Sequence, residues 1–124
     1  MSSRIIPRYA IGLALLAASF SGSALARTAF DGTWSVLIIT EAGTCDRAYR
    51  YDVRVENGAL RYGGDAPIDL AGRVTQAGRV QVMIGRGSHA ATGTGRLSRT
   101  VGRGTWTGRS SHRQCSGRWE AERR

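Results

Sequence analysis

The chain contains no lysine, so each of its 18 basic residues is an arginine. That absence removes the phosphate-binding loop, whose signature needs a lysine to reach the phosphates. Cysteine occurs twice, at positions 45 and 115, and histidine twice, at 89 and 112, so neither CxxC nor HExxH can be written; the GxSxG elbow is missing as well. After residue 26 there is one proline, Pro67, while glycine is frequent, and no segment carries a helical stripe. No apolar run reaches the roughly 20 residues that a membrane-spanning helix needs.

The longest apolar run, Ile11 to Phe20, has flanks that explain it. Arg4 and Arg8 precede it, Ala24-Leu25-Ala26 follows it, and no acid occurs before Asp31. This is the layout of a signal peptide over residues 1–26, cleaved after Ala26. No cysteine stands at the cleavage site to take a lipid, so the expectation is a soluble product of the periplasm or the outside of the cell. A retained membrane anchor is the alternative, and nothing after residue 26 would span a bilayer.

Residues 27–124 are the length of a single small domain. Such a chain buries only about 60 to 65% of its unfolded surface, so its core is thin and a staple is expected. Cys45 and Cys115 supply one, because an exported chain meets an oxidising compartment and two cysteines allow one intramolecular pairing. Closing a loop of that length stabilises a fold by about 4 kcal/mol in the chain-entropy model.

Charge is placed unevenly. From Arg27 to Leu70 there are five arginines and seven acids; from Ala71 to Arg124 there are 11 arginines and two acids. A basic half of this kind favours anionic partners, such as nucleic acid, lipid phosphates or acidic polysaccharide; it is equally what a solvated strand surface looks like when every basic position is arginine. Nucleic acid is disfavoured, because single-strand binding wants exposed aromatics among the arginines and here the aromatics sit at core parity.

Alternation of period two runs through the chain. Tyr49, Tyr51, Val53 and Val55 point one way while Arg50, Asp52, Arg54 and Glu56 point the other, and Asn57-Gly58 then signals a hairpin. The segments around Thr33–Thr40, Leu60 and Tyr62, Ile68 to Val74, Val80 to Ile84, His89–Leu97, Trp106, and Cys115 to Ala121 bring the count to about eight strands. Gly-Arg-apolar recurs at residues 72–74, 78–80, 95–97 and 117–119, which reads as strand starts or bends with arginine facing water. The fold expected is all-β, a small antiparallel up-and-down barrel, with a β-sandwich as the alternative. In a sequential meander Cys45 and Cys115 fall at the same end, flanking the seam between the last strand and the first. Trp34, Trp106 and Trp119 fall toward the other end, where they are expected to plug the barrel; an aromatic ligand patch is the alternative role.

Gly32-Thr33-Trp34 resembles the G-x-W that opens lipocalin and avidin-type barrels. The resemblance implies a tryptophan at the closed end with an arginine near the last strand packed over it, a part that Arg118 or Arg123 would take. The wider layout of G-x-W, G-x-C, G-x-V hairpins and a final C-S-G-x-W also resembles small exported alphaproteobacterial proteins to which no activity is attached.

Chemistry is sparse. Ser110 and Ser111 precede His112, but neighbours on a strand face opposite ways, so a nucleophile-base pair is not expected and neither is an enzyme. Two histidines without clustered acids fall short of a zinc site, and no cofactor is expected. What remains is a non-enzymatic binding or interaction module for an unidentified ligand; the rim of Arg47, Arg86, His89, Arg109, His112 and Arg113 facing Glu41, Asp46 and Asp65 is a candidate weak site for an anionic ligand or acidic partner, with a solvated loop collar as the preferred alternative. The runner-up is an exported inhibitor of proteases or lysozyme, presenting a loop over 109–114.

Overall fold

A computed structural model describes residues 27–124; the signal peptide expected over 1–26 lies outside the described residues. The strands are β1 (Gly32–Ala42), β2 (Ala48–Glu56), β3 (Ala59–Tyr62), β4 (Asp69–Val74), β5 (Arg79–Arg86), β6 (His89–Leu97), β7 (Val101–Ser110) and β8 (Arg113–Arg123). They close into one antiparallel barrel in chain order, so no open pair of sheets exists and the sandwich alternative is excluded. No helix among the described residues is long and apolar enough to cross a membrane.

Closure is made by β1 and β8, which pair from Trp34↔Arg123 to Thr40↔Gly117 before the register shifts at a bulge ahead of Ala42↔Ser116. Both edges that an open sheet would leave unpaired are therefore satisfied. The shortest pairing is β3 with β4, Ala59↔Arg73 and Leu60↔Gly72, extended by the Val74 amide donating to the Gly58 carbonyl. Beyond it residues 63–68 connect β3 to β4 outside either strand, although the Gly63 amide still donates to the Asp52 carbonyl of β2.

The period-two pattern sorts inside from outside as the sequence predicts. Trp34, Val53, Val55, Leu60, Val74, Val80, Leu97, Trp119 and Ala121 are buried, while the arginines between them are exposed. One expectation needs correction. Of the Gly-Arg-apolar tripeptides only Gly78 lies in a turn, with φ of 91°; Gly72, Gly95 and Gly117 sit within β4, β6 and β8 at inward parity. The reason is the bulk of tryptophan in a narrow barrel. Trp119 lies across the neighbouring strands β7 and β6, and a Cβ on Gly104 would come within 2.6 Å of its ring. Glycine at these positions gives the indole its volume.

Candidate ligand-binding site

The two ends of the barrel differ. The turns after β2, β4 and β6 meet at one end, and the segment 27–31 crosses beneath them. Phe30 is buried there, and Trp34 above it is 1% exposed, its indole donating to the Phe30 carbonyl at 2.9 Å. Asp31 ties this floor to the hairpin of Asn57 and Gly58, accepting from both backbone amides and from the Thr28 hydroxyl. Burial opposes ionisation of that carboxyl, but the hydrogen bonds from Thr28, Asn57 and Gly58 outweigh it and hold the pKa below the ordinary value. Arg123 completes the floor, donating to the carbonyls of Ala29, Arg99 and Asp31 with its guanidinium over the Trp34 ring. Arg118 points outward instead, onto Glu41.

The tryptophans are all buried, but they are not gathered at one end. Trp34 pairs with Arg123 at the floor, Trp119 pairs with Ile38 and Gly104 halfway up, and Trp106 pairs with Gly117, two residues from Cys115. Their indoles donate to three different carbonyls, those of Phe30, Thr94 and Ile39. The closed end is thus plugged by Phe30 and Trp34, and the other two rings line the wall above. Alternating placement along β7 and β8 causes this: Trp106 and Trp119 belong to levels set by register, whereas the floor is built by the chain ahead of β1.

Above the floor the interior is hollow. A cavity of about 640 Å³ opens toward the loops after β1, β3, β5 and β7. Tyr49, Tyr51 and Tyr62 form one wall, their rings meeting edge to face at 5.9 and 6.2 Å between centroids. Leu70, Val82 and Ile84 continue it, and Ala91, Gly93 and Gly108 make the smooth wall opposite. These inward side chains are only partly buried, in contrast with those beneath them. Large residues on one side and almost none on the other leave the space unfilled. Burial pushes the Tyr51 hydroxyl above its usual pKa, helped by Tyr49 and opposed by the charge of Arg86; burial and then Asp46 do the same to Tyr49.

At the mouth, register assembles part of the expected rim. Arg86 pairs with His89, His89 with Ser110, and Ser110 with Arg113, so four strand ends form one row at inward parity. Arg86, His89, Arg109 and Asp46 border the cavity. Arg113 is turned to the neighbouring loop, donating to the Thr44 carbonyl at 3.1 Å, and His112 sits in the exposed turn. That turn has only Ser111 and His112 between strands, so 109–114 is a tight hairpin and not a protruding loop. Cys45 and Cys115 are joined, with Cα atoms 6.1 Å apart, pinning the first loop to β8 beside the mouth.

No family model, curated protein or solved structure matches this chain.

The site therefore rests on its own geometry. Among the described residues no group of three or more His, Cys, Asp or Glu side chains is placed to hold a metal ion. Sequence reasoning found the tyrosines as core-facing residues but not the space beside them. The signal was present in the inward positions of β6 and β7, where Ala91, Gly93 and Gly108 place small residues along the cavity. Phe30 and Arg123 as floor elements depend on how the leading segment folds back, which alternation does not encode.

Proposed function

We propose that this protein is an exported, non-enzymatic binding module that holds one small apolar molecule in the barrel, with an acidic group of that molecule at the mouth. The observation that carries this reading is the 640 Å³ apolar cavity above a sealed floor. Its size falls in the range of about 300 to 1,000 Å³ typical of small-molecule pockets. Tyrosine rings and aliphatic side chains offer apolar and edge-of-ring contacts, and the three phenol hydroxyls add a few polar fixtures. Arg86 lines the cavity and is near enough to Tyr51 to act on its ionisation. An arginine fork pairs bidentately with a carboxylate or phosphate, so a ligand with an apolar body and an acidic end fits both parts of the site. The floor, sealed by Phe30 and Arg123, leaves the mouth as the route of entry.

Native mass spectrometry of protein purified from its own host tests the reading. The expected result is a population carrying one non-covalent adduct of small mass, lost in the cavity-filling variant Ala91→Phe. Wild-type protein that carries no adduct, or an adduct that Ala91→Phe retains, would count against it. An inhibitor would instead form a stoichiometric complex with an added protease or lysozyme; the tight hairpin at 111–112 offers little to insert into an active-site cleft.

A further inference from the structure

The outer face of β5, β6 and β7 carries a feature that the cavity does not use. Arg79 is the cross-strand partner of Arg96, and Arg96 is the partner of Arg103. All three are exposed, at outward parity, on adjacent strands. Like charges directly opposite one another destabilise a sheet, and here two such pairs are stacked side by side. Among the described residues no carboxylate lies within ion-pair distance of any of the three. The nearest acid along the row, Glu120, is the partner of Arg103 but is engaged by Arg118. By contrast Arg54 and Arg61, on the other side of the barrel, share Glu56, and Arg124 meets Asp52. The chain from Leu70 to Trp119 contains no acid at all.

Above the row the same face presents hydrogen-bonding groups. Gln81, Thr94 and Thr105 form the next level, and Thr92 and Thr107 the one after. None of these is aromatic, and the only large apolar side chain at those levels is Met83.

We infer that this face is a second binding site, for an acidic polysaccharide, independent of the cavity. Strands lie about 4.8 Å apart, so the three arginine Cα atoms span on the order of 10 Å. The row runs perpendicular to strands that in a closed barrel tilt by about 35 to 45° from the axis, so it winds obliquely around the curved wall. A flat lipid surface meets a cylinder along the axis and would reach only part of the row, whereas a flexible chain can follow it. Single-stranded nucleic acid would want exposed rings to stack on, which this face lacks. Sugar hydroxyls are matched by the threonine and glutamine groups above the row, and carboxylates or sulfates by the guanidinium forks in it.

The test uses Arg79→Gln, Arg96→Gln and Arg103→Gln combined, against a control of Arg54→Gln, Arg61→Gln and Arg124→Gln that removes the same charge elsewhere. Both proteins and wild type are titrated at low salt with polygalacturonate, heparin, single-stranded DNA and anionic phospholipid vesicles. The row variant should lose at least tenfold in polysaccharide affinity, the control less than twofold, and the wild-type affinity should fall steeply as salt is raised. Because the substitutions relieve repulsion, the row variant should melt no lower than wild type, and its cavity ligand should bind unchanged. Equal losses in both variants would reduce the effect to net charge and overturn the inference. So would tighter binding of DNA or vesicles than of either polysaccharide.

Discussion

Arg123 lies over the ring of Trp34, its guanidinium carbon 5.3 Å from the ring centre, although 89 positions separate them. The contact joins the last residue of β8 to the third residue of β1 and so fastens the seam at the floor. Its value exceeds the cation-π term, since the same fork donates to carbonyls of Ala29 and Arg99 at 2.8 and 3.0 Å. Lysine can offer a charge but no planar fork. Arg123→Lys is expected to cost about 2 kcal/mol, read by denaturant unfolding, from the loss of charge-assisted hydrogen bonds. An unchanged midpoint would mean that the floor is held by Phe30 packing alone.

The disulfide gives a second expectation. Alkylating exported protein without reductant should label neither Cys45 nor Cys115, since the two are bonded. Replacing both by serine should lower stability by up to about 4 kcal/mol, because the linkage closes a long loop across a thin core. Intact mass and thermal melting check these two statements separately.

Trp119 sits between strands that present glycine to it, at Gly93, Gly95 and Gly104. Trp119→Ala should therefore leave a void and cost about 3 to 5 kcal/mol. Gly104→Ala tests the same packing from the other side. The added methyl meets the Thr94 carbonyl first and then the indole, and should destabilise by about 1 to 3 kcal/mol, more than its strand preference would return. Tryptophan emission in the wild type should be blue-shifted and resistant to iodide. Emission like that of free indole in water would place the rings outside.

Asp31 makes the floor sensitive to acid. Its carboxyl pKa is lowered in the folded protein, so its contribution is present above the ordinary carboxylate pKa and is lost as pH falls through the folded value. In Asp31→Asn the stability between neutral pH and pH 3 should depend less on pH than in wild type, which parallel urea titrations would show. Tyr49 and Tyr51 act with the opposite sign. Their raised values favour the folded state below the free phenol pKa, and that advantage disappears as pH rises through the folded values. Ultraviolet titration should find two phenols ionising later than free tyrosine.

Much of the architecture was legible in the chain. The alternation at Tyr49–Val55, the turn at Asn57-Gly58 and the spacing of Cys45 and Cys115 define strand faces, a hairpin and a common end, all of which the barrel contains. The site was legible only in part. Arg86 and His89 were expected at the rim and do border the mouth, because they terminate strands that the hairpin rule aligns. The cavity itself was not, since it arises from a difference in side-chain volume between walls that are far apart in sequence. Arg79, Arg96 and Arg103 formed part of a basic half, but their alignment is a matter of register, which composition does not carry. Phe30 was hidden because it precedes the first strand and folds back beneath it.

The central claim is that the barrel interior holds an apolar body and that Arg86 receives an acidic end. Isothermal titration of the purified protein with dodecanoate, and with the corresponding neutral alcohol, tests it most directly. The account predicts one site per chain for the acid, a loss of at least tenfold in affinity for the alcohol and for Arg86→Gln, and no detectable binding to Ala91→Phe despite normal melting. Binding of acid and alcohol with equal affinity, or binding that survives Ala91→Phe unchanged, would contradict it.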